Sequence, residues 1–298
     1  MSDHNIFELQ LALPNSALAI KEKTLLGFEE RYTKVRDRIR LLLSESEIAS
    51  WNKKFHAGDL QLANLIKEQY PLVIFYGDVG TGKTETAECI ANRIVTEAKT
   101  EDSVLFKLSN SVRGTGKVGE MSSLIAEAFQ KITASAGKTR RAVLIIDEGD
   151  SLGAARSQEH SHHEDKVAVN TLIQSIDGLR RHGGRIVTIL CTNRLSTLDP
   201  ALYRRAALVE EFTRPDAHKR KALLKMDLKG LKMTDSQLEE LVQLTGAHGK
   251  HPGFTYSDIR TRLYPEALSR AFPDRELQFA DLQKAAQDVP ASPVLEDK

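Results

Sequence analysis

Apolar residues fall in two rhythms along the first two-thirds of the chain. Short β-branched or apolar runs at residues 72–76, 104–108, 142–147 and 185–191, with a weaker one at 208–212, predict strands. Between them the spacing lengthens to that of a helix. After Lys83 the apolar positions are Ala87, Ile90, Ala91, Ile94, Val95 and Ala98, and similar patterns cover 118–132 and 166–179. Strands alternating with helices predict an α/β unit with a largely parallel sheet between helices. After Pro215 the strand rhythm stops. Residues 217–228, 236–244, 256–271 and 279–288 read as helices, with Asp235 and Asp258 near their starts. The expected organisation is therefore a short extension at 1–24, an α/β domain at 25–214, a small helical domain at 215–289 and a frayed tail at 290–298.

Composition narrows the class. The 298 residues are 41% hydrophobic and 28% charged, as in soluble globular proteins, and the net charge of +1 gives no bulk attraction to nucleic acid or lipid. No apolar run approaches the roughly 18 residues of a spanning helix, so no membrane partner is expected. The start, MSDHNIFELQLALPNS, has no basic stretch before an apolar one and does not read as a signal peptide. Cys89 and Cys191 form no CxxC pattern and read as two buried thiols of a cytoplasmic protein.

The tetrapeptide GTGK occurs twice, and only the first copy has phosphate-binding chemistry. GDVGTGKT at 77–84 satisfies G-x-x-x-x-G-K-[ST] with a strand before it and a helix after it. Such a loop turns its backbone N–H groups inward on an anion, helped by the positive helix end. The expected nucleotide-binding set is Gly77, Asp78, Val79, Gly80, Thr81, Gly82, Lys83, Thr84 and Glu85, with Lys83 reaching the β- and γ-phosphates of ATP and Thr84 binding Mg²⁺. VLIIDE at 143–148 is a continuously apolar strand ending in two acids, as a strand covered on both faces should be. Asp147 would hold the Mg²⁺ water shell, and Glu148 would polarise the attacking water. The second GTGK, at 114–117, has no strand directly before it, Ser111 in place of the first glycine and Val118 in place of the hydroxyl. It is not a nucleotide site.

The order phosphate loop, VGE, DEGDSL, CTNR, LDPALYRRA resembles the AAA+ ATPases over residues 25–290. Within them, the run from Val169 to Phe212 resembles the pachytene-checkpoint type, ring ATPases that remodel HORMA-domain proteins. The resemblance implies a homohexamer hydrolysing Mg·ATP to pull on a partner polypeptide, with a HORMA-domain protein as substrate. Only about 24 residues precede the core, which suits a compact bacterial version working beside nucleotide-second-messenger synthases in anti-phage defence. It also implies that Lys117, Val118 and Gly119 form the substrate-gripping pore loop, although lysine stands where the family has an aromatic residue. Asn193 would be sensor 1, holding the attacking water. Arg205, with Arg204 as the alternative, would reach the neighbouring subunit's γ-phosphate. Gly27 and Phe28, in LLGFEERY, would pack over adenine. Simple register puts Ser257 at the sensor 2 position, and Arg260, three residues on, could substitute.

The histidines of RSQEHSHHEDK at 156–166 have a spacing that would allow zinc, but a solvated second pore loop is the expectation; protonation of His160, His162 and His163 could tune the channel. Two other functions are compatible with the family: a DNA-directed clamp loader or initiator, and an unfoldase feeding a protease. The near-neutral charge and absence of a basic tract disfavour the first. The tail VLEDK offers no evident protease-docking motif for the second.

Overall fold

The computed structural model describes residues 6–99, 102–109, 112, 119–149 and 163–295. A first strand, β1 (Phe7–Leu13), is followed by helices α1 (Ser16–Glu22), α2 (Phe28–Leu42), α3 (Glu45–His56) and α4 (Gln61–Lys67). Strands and helices then alternate: β2 (Leu72–Gly77), α5 (Lys83–Glu97), β3 (Ser103–Leu108), α6 (Glu120–Ala136), β4 (Arg141–Ile146), α7 (His163–Leu179), β5 (Ile186–Thr192), α8 (Pro200–Arg205) and β6 (Leu208–Phe212). Among the described residues these strands form one sheet in the order β1-β3-β4-β5-β2-β6.

The five anticipated strands are all present and mutually parallel, with bounds shifted by a residue or so. The sixth, β1, runs antiparallel to β3, so that the 1–24 extension supplies the edge of the sheet. Its signal was in the sequence: Phe7, Leu9, Leu11 and Leu13 alternate with polar or small residues at the strand period.

Strand side chains alternate between two cores because successive Cβ atoms point to opposite faces. Leu72, Ile74, Leu144 and Ile146 point to the face covered by α6 and α7. Val73, Phe75, Val143 and Ile145 point to the other, covered by α2 and α5. Each of the eight is 2% exposed or less, the burial that a parallel sheet sandwiched between helices requires.

The small domain comprises α9 (Ala217–Asp227), α10 (Asp235–Leu244), a π-helical stretch (Asp258–Leu263) running into α11 (Tyr264–Ser269), and α12 (Phe279–Asp288). Its own core gathers Leu224, Leu241, Phe254, Ile259, Leu263 and Leu282. Thr234 and Gln237 close a reciprocal capping box at the start of α10. The domain also holds a two-residue ladder, β7 (Ala247–His248) with β8 (His251–Pro252), too short to leave a periodic signal.

Part of the expected frayed tail is instead in place. Ala291 packs against the small core, and Ser292 donates from both N and Oγ to the carboxylate of Asp258. The composition of the segment suggested fraying; a buried acid that needs donors overrides it. Residues 296–298 lie outside the described residues.

Two glycines fix where the phosphate loop can run. A Cβ on Gly77 (φ +132°) would stand 2.1 Å from the carbonyl oxygen of Phe212 on β6. One on Gly80 (φ +74°) would stand 2.7 Å from Thr255 Oγ1 of the small domain. Gly77→Ala is expected to lose about 3 kcal/mol of stability, from overpacking against fixed backbone and the strained φ together. Urea unfolding with the midpoint unchanged would overturn that account.

Candidate active site

The loop between β2 and α5 lies at the C-terminal ends of the parallel strands, where open α/β sheets place their ligands. There a cleft of about 410 Å³ opens between the two domains, lined by the loop, the ends of β4 and β5, and the helix following Thr255. Gly80, Thr81, Gly82, Lys83, Thr84, Glu85 and Val79 all line it. The Lys83 side chain is 6% exposed overall, and its Nζ donates to the carbonyl oxygens of Gly77 and Asp78, both at 2.9 Å. Those bonds hold the ammonium inside the curve of its own loop. Gly82 stands at the N-cap of α5 with φ +87°, so the loop delivers its amides to the helix end.

Asp147 and Glu148 follow β4 and face the loop. Thr84 Oγ1 donates to Asp147 Oδ2 at 2.9 Å, which brings a hydroxyl and a carboxylate oxygen together. These are hard oxygen donors of the kind Mg²⁺ takes, so the residues fit that ion. Lys107, on β3, adds a cation that sequence reasoning missed, with Nζ 3.6 Å from Asp147 Oδ2 and 3.2 Å from Glu8 Oε1. Burial lowers the Lys107 pKa, but the Glu8 hydrogen bond and the two acids outweigh it, and the ammonium is held above its usual range. Glu148 has φ +50°, a left-handed conformation that is rare for a residue with a side chain. Together with Asn193, beyond the end of β5, it lines the cleft.

Several expected residues sit elsewhere than anticipated. Gly27 is the left-handed N-cap of α2, and Phe28 is 4% exposed, stacked on Tyr32 in the core. Leu25 and Leu26, three and two residues earlier than Phe28, line the cleft in their place. An amphipathic helix start has its first large apolar residue drawn into the core, which turns the preceding pair outward. Asp78 turns away from the cleft as well: its Oδ1 accepts from Val79 N at 2.9 Å and its Oδ2 pairs with Arg214. Arg260 does line the cleft, as does Ser257, but its guanidinium is held bidentately by Asp227 at 2.7 and 2.8 Å.

Sequence reasoning also missed Lys21, Arg31 and Tyr256, which no motif marks. Lys21 pairs with Glu85 and Glu88 at the rim, at 3.5 and 3.1 Å. Arg31 lies 4.3 Å over the Phe212 ring, and burial lowers its pKa despite the neighbouring Tyr256 and Glu210.

The two arginines of LYRRA have different surroundings. Arg205 donates to both carboxylate oxygens of Asp177 on α7, at 2.6 and 3.0 Å, and lies 5.1 Å over the Tyr70 ring. Arg204 is exposed and has no hydrogen-bond or ion-pair partner among the described residues. Both stand at the end of α8, whose Leu202 packs on the sheet face opposite α5. Register favoured Arg205; within this chain it is Arg205 that Asp177 ties down, while Arg204 stays exposed.

Of the expected pore loop, Gly119 is the left-handed N-cap of α6, with φ +80°. Lys117 and Val118 lie outside the described residues, as do His160 and His162 of the histidine segment. Among the described residues no group of His, Cys, Asp and Glu could hold a metal in the manner of zinc, and no helix is long and apolar enough to cross a membrane. Cys89 and Cys191 are both buried and unpaired; burial pushes the Cys89 thiol up to about 12 and raises that of Cys191 as well.

Comparison with known proteins finds relatives along the whole chain. The profile of the ATPase family associated with various cellular activities (AAA) matches residues 73–214. The CD-NTase-associated protein 6 of Escherichia coli strain KTE188 is 59% identical over 297 residues, covering all of both chains. Among solved structures, a chain of the E. coli MS115-1 HORMA:CdnC:Trip13 complex superposes with a TM-score of 0.89 at 34% identity, over 97% of each chain. A Rhizobiales Trip13 superposes with a TM-score of 0.72 at 30% identity, over 96% of this chain and 99% of that one.

The two arginines separate by stability. Arg205→Ala is expected to cost about 1–2 kcal/mol, a partly exposed bidentate pair being worth less than a fully buried one. Arg204→Ala should stay within about 0.5 kcal/mol of the parent. Equal denaturation midpoints for the two variants would contradict the assignment.

Proposed function

The chain belongs to the AAA ATPase family, and from that premise we propose that it is a ring-forming remodeller that spends ATP hydrolysis on converting a HORMA-domain protein from its closed, partner-bound state to its open state. The bacterial relatives with which it aligns along its whole length support this reading, since one of the matching Trip13-like chains was solved together with a HORMA protein. The same reading sets it in an anti-phage signalling system in the cytoplasm, with a second-messenger synthase as the HORMA protein's other associate.

The observation that carries the ring is the position of Arg204. A guanidinium on the sheet face away from α5 does not serve the cleft of its own chain, yet an exposed arginine next to a fixed one is what a neighbouring cleft needs. Closed head-to-tail packing gives every cleft such an arginine, and six copies is the family expectation.

Within one cleft the work divides as follows. Lys83 and the loop amides bind and orient the phosphates. Thr84 and Asp147 would hold Mg²⁺, which when bound would supply positive charge against the phosphates. Glu148 takes a proton from the attacking water, and its left-handed backbone turns the carboxylate toward the cleft. Asn193 holds that water in line. Leu25 and Leu26 give the base an apolar wall. Arg204 of the adjacent copy stabilises charge developing on the transferred phosphoryl group, a contribution of about 10³–10⁵ in rate for such arginines.

Glu148→Gln is expected to retain ATP binding while turnover falls about 10²–10⁴-fold, the scale of a lost general base. Unchanged turnover would remove Glu148 from that role. The partner is tested by ATP turnover with and without a HORMA-domain protein encoded beside this one. We expect stimulation that disappears in Lys117→Ala, with basal hydrolysis intact. Turnover indifferent to that protein would leave the ATPase standing and sink the HORMA reading.

A further inference from the structure

Arg214 is the residue immediately before Pro215, where the two domains meet, and its guanidinium serves three separate parts of the molecule. Nε donates to Asp78 in the phosphate loop. One terminal nitrogen donates to the carbonyl of Gly253 at 2.6 Å, just ahead of the helix that lines the cleft. The other donates to the carbonyl of Pro293 at 2.9 Å. The arginine and Asp78 side chains are only 12% and 13% exposed, so this is not a surface pair screened by solvent. A planar fork with fixed donor directions can hold three acceptors in one geometry, which a lysine cannot do.

A second route joins the same three parts. Asp258 is 1% exposed, and its carboxylate accepts from Ser292 Oγ at 2.6 Å, Ser292 N at 3.1 Å and Thr255 N at 3.0 Å. Arg262 adds an ion pair at 3.3 Å. Burial alone would raise the pKa of this acid, but the donors from Ser292 and Thr255 more than offset it and hold it below the usual carboxylate range. Thr255 Oγ1 accepts in turn from Asp258 N at 3.0 Å and stands where a Cβ on Gly80 would be. Ser257 N then donates to the Gly80 carbonyl at 3.1 Å. The chain of contacts runs from residue 292 to the phosphate loop through one buried acid.

We propose that segment 290–295 is a clasp on the nucleotide cleft, and that Arg214 and Ser292 are positioning residues for ATP turnover. Neither touches the cleft. Arg214 fixes Asp78, and so the loop, against the start of the lid helix and the clasp. Ser292 fixes Asp258, and so Thr255 and Ser257, against Gly80. The clasp sets how readily the small domain parts from the phosphate loop, and thereby how fast nucleotide leaves, a step that often limits turnover in enzymes with a closing domain. The inference rests on the ATPase chemistry and is independent of the HORMA partner.

The test uses the full chain and a fluorescent ADP analogue, with its dissociation followed by stopped flow beside KM and kcat for ATP. Arg214→Lys keeps the charge and loses the fork; Ser292→Ala removes only the hydroxyl donor. ADP release is expected to quicken about tenfold in the first and about threefold in the second, with KM for ATP rising, as for lost hydrogen bonds to charged or buried acceptors. Removing residues 290–298 should reproduce the faster release. Variants that melt at lower temperature but release ADP at the parent rate would show that the segment only holds the fold, and would overturn the proposal. So would parent-like release without a change in melting. Should Arg214→Lys fail to fold, Ser292→Ala decides by the same two readouts.

Discussion

The loop that carries Gly77 and Gly80 is gripped between the backbone of its own domain and side chains of the small one. On one side, the carbonyl of Phe212 leaves no room for a side chain at Gly77; on the other, Thr255 and Ser257 leave none at Gly80. That double restriction sets the rest of the site. It brings the end of β6 and the start of the lid helix against the same few residues, and so fixes the walls of the cleft before any ligand is considered. It also means that the small domain is a component of the phosphate site rather than an appendage to it.

The electrostatics follow the same plan. Cations surround the loop at several depths: Lys83 within its curve, Lys107 beside Asp147, Lys21 at the rim, Arg31 against the lid residue Tyr256. Most are also tied to a carboxylate or carbonyl of the protein, which keeps them in place and limits the reorganisation needed when a polyphosphate arrives. Arg204, away from this cluster, is exposed and has no such partner among the described residues. Arg205 beside it is held by Asp177 and packed over Tyr70. Adjacent residues of one type on one short helix thus divide into an inward and an outward role, because consecutive helix positions point about 100° apart.

Much of the fold was legible along the chain. Four of the five parallel strands declared themselves as apolar runs, since burial on both faces demands that composition, while the half-buried β6, LVEEF, gave a weaker signal. The amphipathic helices did so by spacing. The strand β1 was legible too, as alternation at Phe7, Leu9, Leu11 and Leu13, but a period-two pattern on an edge strand is weaker than a solid apolar run. The segment 290–295 was not legible at all. Its order depends on the buried carboxylate of Asp258, some thirty residues earlier in sequence, and no local pattern announces such a debt.

At the site itself, the sequence alone determined the chemistry: a glycine-rich loop with Lys83 and Thr84, and the acid pair Asp147 and Glu148 at a strand end. These residues act through backbone conformations and spacings that are local, so a linear pattern suffices to encode them. Tertiary structure decided where the other candidates stand and what they touch. It drew Phe28 into the core and put Leu25 and Leu26 in the cleft. It bound Arg260 to Asp227 and Arg205 to Asp177, and it joined Arg214 to the loop, the lid and residue 293 at once. Side-chain identity says what a group can do; which partner stands within about 3 Å of it depends on contacts far apart in sequence, and only folding supplies those.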